Sequence, residues 1–209
     1  MEQNHYRQAE EALMRVAAAV QRQESVNVTE MTELAGLIVD SIQENDQLVV
    51  EALSSPVGPP LVTNLVNVAI LATKVGIGLG YYGAELRRLA LAGLLHDIGI
   101  FAVPQHLLTK TGRLTSEERA LVEQHPRLGC GVIEGLGADY AWLAEVVLQA
   151  HARGKGQGYP NRLKGREINE LAQIIGLVDI FDALVSPRPY RRRLLPHEAI
   201  RELLNTERT

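Results

Sequence analysis

The chain has 209 residues and a mass of 23.0 kDa, with 46% hydrophobic and 22% charged side chains. That balance excludes a chiefly disordered, collagen-like or disulfide-stapled protein, and at this length folding removes roughly 70% of the extended chain's surface from water, enough for a substantial core. With 21 basic against 25 acidic residues the net charge is −4, which gives no global basic field to hold a nucleic-acid polymer or an anionic membrane; the single cysteine, Cys130, allows no intrachain disulfide and fits a reducing cytoplasm.

The opening residues lack the unbroken apolar stretch and small-residue cleavage site of a secretory signal. Leu13, Val16, Ala17 and Val20 share one helical stripe, so the first segment reads as an amphipathic helix able to pack on the domain or on a second copy of the chain. A second helix is expected from Met31 to Leu53. The Ser-Ser-Pro-Val-Gly-Pro-Pro stretch that follows ends helical periodicity because proline lacks an amide hydrogen. It is the natural boundary between an N-terminal helical extension, residues 1–55, and a main domain, residues 56–209.

Ala52 to Thr73 is charge-free and long enough to span a bilayer. Its prolines and asparagines would leave polar groups unsatisfied in hydrocarbon, so it reads as a turn followed by a soluble helix over Leu61 to Val75, with no membrane partner. Ala84 to Ile98 reads as a buried helix stopped by Gly99. Thr115 with Glu118 forms a capping box opening a helix toward His125. Further helices are expected over Tyr140 to Ala152, Arg166 to Leu184 and Pro196 to Asn205. Strand patterning is almost absent, and short Ala- and Leu-rich helices joined by Gly/Pro loops point to an all-α bundle.

His96, Asp97, His125, His151 and Asp179 stand at the ends of apolar helices. Imidazoles and carboxylates are costly to desolvate there unless they pair or bind a cation. On a helix, His96 and Asp97 would point about 100° apart, letting the imidazole face one cation while the carboxylate reaches a second. Paired metals roughly 3.5–4 Å apart suit phosphoester hydrolysis.

The stretches TNLVNVAILA (63–72), LAGLLHDIGI (91–100), VPQHLLTKTGRLTSEE (103–118), HPRLG (125–129), GQGYPNRLKGREI (156–168), GLVDIFDAL (176–184) and RPYR (188–191) resemble the HD-GYP branch of the HD phosphohydrolase superfamily. The resemblance implies an HD-domain helical bundle that binds iron or manganese-like ions and hydrolyses cyclic di-GMP to pGpG or GMP. It places His96, Asp97, His125, His151 and Asp179 at metal-ligand positions, with Asp97 central to catalysis. Arg188 and Arg191 are implied phosphate contacts, because guanidinium groups grip phosphate bidentately, and Tyr159 is an implied base-stacking or loop-orienting residue. Asp182 reads as structural, orienting a ligand or pairing with an arginine of RPYR.

This chain also departs from the family pattern. Asn64, Ala150 and Pro60 stand where the family places ligands, Ile100 replaces the lysine after HDIG, and Ala152 and Lys155 replace a Glu and an Asp. What remains is one cation set of His96, Asp97 and Asp179 and another of Asp97, His125 and His151. The expectation is one or two divalent transition metals, Fe or Mn, weakly held or lost, and impaired turnover. The alternative is a catalytically silent module of the same fold that binds cyclic di-GMP or a signalling protein, with homodimerisation as a further expectation. A phosphohydrolase acting on another nucleotide is a third reading.

Overall fold

The computed structural model describes residues 5–54, 58–187 and 192–208, and the side chains of 206–208 are left aside. Among the described residues the chain is all-helical, with an isolated antiparallel bridge between Lys155 and Lys164 as its only β-type pairing.

Helix α1 (His5–Gln21) buries Tyr6, Ala9, Ala12, Leu13, Val16 and Val20, one continuous stripe at helical spacing. In α2 (Val28–Glu44) the side chain of Asn27 caps the first turn. The expected single helix over Met31 to Leu53 is two helices. Asn45 is extended (φ −163°, ψ 169°) and its Oδ1 accepts from the Gln47 amide at 2.9 Å, so the side chain competes with helical bonding before α3 (Gln47–Leu53) restarts.

Helix α4 (Pro60–Gly78) is the centre of the bundle and packs on α1, α2, α3, α5 (Gly83–Leu95) and α10 (Glu170–Val185). It is long and apolar enough to cross a membrane, but 61% of its most apolar window is buried inside the protein. Pro60 sits in the first turn, where its missing amide hydrogen costs nothing. The α4 and α5 backbones approach so closely that a Cβ on Gly93 would lie 2.4 Å from Ala69 Cα.

Helix α5 ends at Leu95, earlier than the expected Ile98. A 3₁₀ turn over Ile98–Ala102 follows, and Gly99 lies inside it. Helix α6 (Gln105–Leu108) is a single turn, and α7 (Ser116–Val122) opens with the Thr115/Glu118 capping box expected from the sequence. Helix α8 (His125–Glu134) packs on the 3₁₀ turn; a Cβ on Gly99 would lie 2.0 Å from the His125 carbonyl oxygen. Helix α9 (Ala141–Gln149), a loop closed by the Lys155–Lys164 bridge, α10 and the exposed-faced α11 (Pro196–Arg208) complete the chain. One apolar core runs from Tyr6 to Val178.

Candidate metal centre

The five residues at implied ligand positions come from four segments of the chain, and the structure brings them together. His96 is the residue after α5 and is fully buried. Its Nδ1 donates to the Gly93 carbonyl at 2.9 Å, one of the carbonyls that a helix end leaves free. His125 opens α8, is 3% exposed, and its Nδ1 donates to the Val122 carbonyl at 2.8 Å. Since a carbonyl only accepts, both rings carry the Nδ1 proton and turn Nε2 inward as a lone-pair donor.

Asp97 is the junction. It sits between α5 and the 3₁₀ turn in a non-helical conformation (φ −111°, ψ 21°), so the expectation of two adjacent helical residues is corrected: the carboxylate is aimed by the break in the helix. Asp97 Oδ1 lies 2.6 Å from His151 Nε2 and 3.2 Å from His125 Nε2, while Oδ2 lies 3.8 Å from His96 Nε2. On α10, Asp179 Oδ1 lies 3.9 Å from His96 Nε2. One potential ligand atom from each of Asp97, His125 and His151 falls within 4.8 Å of the other two.

The residues fit a divalent cation on the chemistry of their donors. In that neutral form the buried Nε2 atoms of His96 and His125 accept from no donor among the described residues, and an orphaned buried acceptor is expensive. A neutral imidazole nitrogen 3.2 Å from a carboxylate oxygen is tolerable only with a positive charge, proton or metal, shared between them. Burial acts to lower the His125 pKa, yet hydrogen bonding and charge from Asp97, with the Val122 carbonyl and Asp179, raise it above the ordinary imidazole value. Burial acts to raise the Asp97 pKa, but the charges of His151 and His96 and the hydrogen bonds of His125 and His151 hold it well below the usual carboxylate range.

Tyr159 lies flat on His151, with ring centroids 5.0 Å apart and an interplanar angle of 8°, and meets His125 edge-on at 5.8 Å. Its amide donates to the His151 carbonyl at 3.3 Å. The preceding Gly158 is obligatory at this approach, because a Cβ there would lie 2.3 Å from the His151 carbonyl oxygen. Burial pushes the Tyr159 phenol pKa up.

At the departures from the family pattern, Asn64 is engaged in hydrogen bonding: its Nδ2 donates to Asp179 Oδ1 at 3.2 Å and to Asp182 Oδ2 at 2.8 Å. Ala150 and Ile100 are buried in the apolar core, Ala152 is half-buried, and Lys155 and Pro60 are exposed. Lys110 is paired with Glu118 at 2.5 Å. Arg188 and Arg191 lie outside the described residues. Asp182 takes hydrogen bonds from Asn64, Asn67 and Ser186 rather than pairing with an arginine among the described residues. Sequence reasoning did not identify Asn67 or Tyr6 as part of this arrangement. The available signal was an asparagine in the most apolar part of α4, one helical turn after Asn64 on the same face.

The HD domain family profile matches residues 39–209. A cyclic di-GMP phosphodiesterase of Pseudomonas aeruginosa, PA4108, is 41% identical over 143 residues, covering 68% of this chain and 34% of that protein. The 3'3'-cGAMP-specific phosphodiesterase 2 of Vibrio cholerae is 30% identical over 166 residues, covering 76% of this chain and 31% of that protein. The chain thus spans about a third of the length of these curated relatives. Among solved structures, Bd1817, an HDG"Y"P protein from Bdellovibrio bacteriovorus, superposes with a TM-score of 0.75 at 21% identity, covering 97% of this chain and 64% of that one. At that identity the likeness speaks to the fold, and it agrees with the HD-GYP resemblance of the sequence motifs. The chain belongs to the HD domain family.

Proposed function

We propose that this chain is a metal-dependent phosphodiesterase for a cyclic dinucleotide, cyclic di-GMP foremost, with turnover reduced by its departures from the family pattern. The observation that carries the reading is the pair of buried, unpartnered Nε2 atoms on His96 and His125, each fixed as a lone-pair donor by a backbone carbonyl and each facing Asp97. Iron or manganese bound there, by His96, Asp97, His125, His151 and Asp179, would supply the Lewis acidity that polarises a phosphodiester and activates water. Asp97 stays ionised well into acid, which keeps it a ligand at neutral pH. His151 is held in orientation by Tyr159, whose ring also offers a stacking face for a base. Arg188 and Arg191 are the proposed phosphate contacts. Residues 1–55 are read as an N-terminal extension to this domain, its described part helical, and Cys130, a free thiol, is compatible with action in the cytoplasm.

The relatives' names favour cyclic dinucleotides as a class: one is a cyclic di-GMP enzyme and another is specific for 3'3'-cGAMP. A silent signalling module is the second reading, favoured because Asn64 is occupied by two carboxylates and Ala150 by the core. Protein purified without oxygen, assayed for bound metal and then incubated with cyclic di-GMP or cGAMP and Fe²⁺ or Mn²⁺, separates the two. Linear product that disappears in His96→Ala supports the enzyme. Dinucleotide binding with neither metal nor product supports the module.

A further inference from the structure

We infer that Tyr6, Asn67, Asp182 and Asn64 form a positioning relay that ties the N-terminal helix to the metal centre through Asp179; the inference rests on the cation site proposed above. The links are continuous. Tyr6 Oη donates to Asn67 Oδ1 at 2.7 Å, Asn67 Nδ2 donates to Asp182 Oδ1 at 2.8 Å, and Asn64 Nδ2 donates to Asp182 Oδ2 at 2.8 Å and to Asp179 Oδ1 at 3.2 Å. Asp179 Oδ1 in turn faces His96 Nε2 at 3.9 Å.

Chemistry fixes the direction of each link. The phenol donates because the Asn67 oxygen is turned to it, and that leaves the Asn67 NH₂ for Asp182. With Ser186 Oγ also donating at 3.0 Å, Asp182 accepts from three side chains and its carboxylate has one orientation. Asn64 is then gripped by a fixed oxygen, and its second N–H holds Asp179. Tyr6, Asn67 and Asp182 are each at most 2% exposed, so water is a poor substitute for any lost partner. Asn64 therefore acts on the site as a clamp on the Asp179 carboxylate, at the position where the family resemblance implies a ligand histidine.

Outer partners of a ligating carboxylate set its geometry and the metal's affinity. Asp182→Asn, which faces at least one amide with another amide, is expected to weaken Mn²⁺ binding about tenfold, and Tyr6→Phe about fivefold. Val16→Ala removes buried surface from the same helix outside the relay. It should lower Tm and leave Mn²⁺ affinity alone, separating loosening of the fold from loss of position. In chelated protein, Tyr6→Phe should also shift the Asn64 side-chain amide resonances, a readout that needs no metal. Unchanged Asn64 resonances, or Mn²⁺ affinity equal in Tyr6→Phe and the parent chain, overturn the relay. Absence of Mn²⁺ binding by the parent chain, with the resonance shift present, overturns the proposed cation site and leaves the coupling of Tyr6 to Asn64 standing.

Discussion

His151 and Asp97 meet across 54 residues of sequence, with Nε2 2.6 Å from Oδ1. The contact joins the end of α9 to the break after α5, and the other two imidazoles of the centre face the same carboxylate. A single ionised group thus organises three rings, and its charge must be met by protons when no metal is bound.

That requirement makes stability depend on pH in opposite ways with and without metal. The folded-state pKa of His125 is raised, so its contribution is fully present below the ordinary imidazole value and is lost as pH rises through the higher folded value. Asp97 is lowered, so its contribution is present above the ordinary carboxylate value and is lost only as pH falls through the depressed one. Chelated protein should therefore melt at lower temperature as pH rises from about 6 to about 8. A cation must displace the proton from His125, so the Tm gain on adding Mn²⁺ should widen over the same interval. His125→Asn should flatten both trends. A chelated Tm that climbs with pH to the same extent in parent and variant would refute the assignment.

The loop that supports His151 gives a sharper steric test. In Gly158→Ala the new Cβ would stand 2.3 Å from the His151 carbonyl oxygen and 2.6 Å from the Arg153 amide nitrogen, both backbone atoms that cannot swing aside. A cost of about 1–3 kcal/mol follows, a fall in Tm of roughly 3–10 °C for a chain of this size, together with weaker Mn²⁺ binding as His151 and the stacked Tyr159 move. Gly154→Ala, four residues earlier in the same loop, meets open space and should melt like the parent. Equal melting curves for the two variants would show that the loop yields.

Local signals were legible in the sequence, and contacts between distant segments were legible only where a motif marked them. The Thr115/Glu118 box is a three-residue matter of side chains and adjacent amides, and it forms as read. The stripe of α1 likewise needs only periodicity. Helix α8 escaped because Gly129 and Gly131 lower helical propensity across it, while Pro126 sits in its first turn, where it is tolerated; tertiary packing against the 3₁₀ turn, which Gly99 and Gly129 permit, overrides that preference. Asn45 ended a helix through its own side chain in a run whose apolar pattern continued past it. The gathering of His96, Asp97, His125, His151 and Asp179 was legible through the resemblance. The partnership of Asp182 with Asn64 and Asn67 was not, since amides carry no titration or metal-ligand signature in a sequence and their partners lie 115 or more residues away.

Restoring histidine at the two departed ligand positions should have unequal outcomes. Asn64 offers two N–H groups from one nitrogen and uses them on two carboxylates, whereas a neutral imidazole has one, so Asn64→His leaves Asp179 or Asp182 short of a donor at a cost of about 1–3 kcal/mol. Ala150 is 1% exposed, and α10 passes so near that a Cβ on Gly176 would lie 2.5 Å from the Ala150 carbonyl oxygen. An imidazole at 150 overpacks that junction by about 1–3 kcal/mol. In chelator both variants should melt below the parent. With Mn²⁺ Asn64→His should recover, because its new ring stands beside Asp179 and can join the cation set, while Ala150→His should not, because its ring must first displace the core. Thermal melts of both variants with and without Mn²⁺ decide the matter: an Ala150→His chain as stable in chelator as the parent would mean that the end of α9 keeps room for a second histidine, and that the packing there does not oppose the missing ligand.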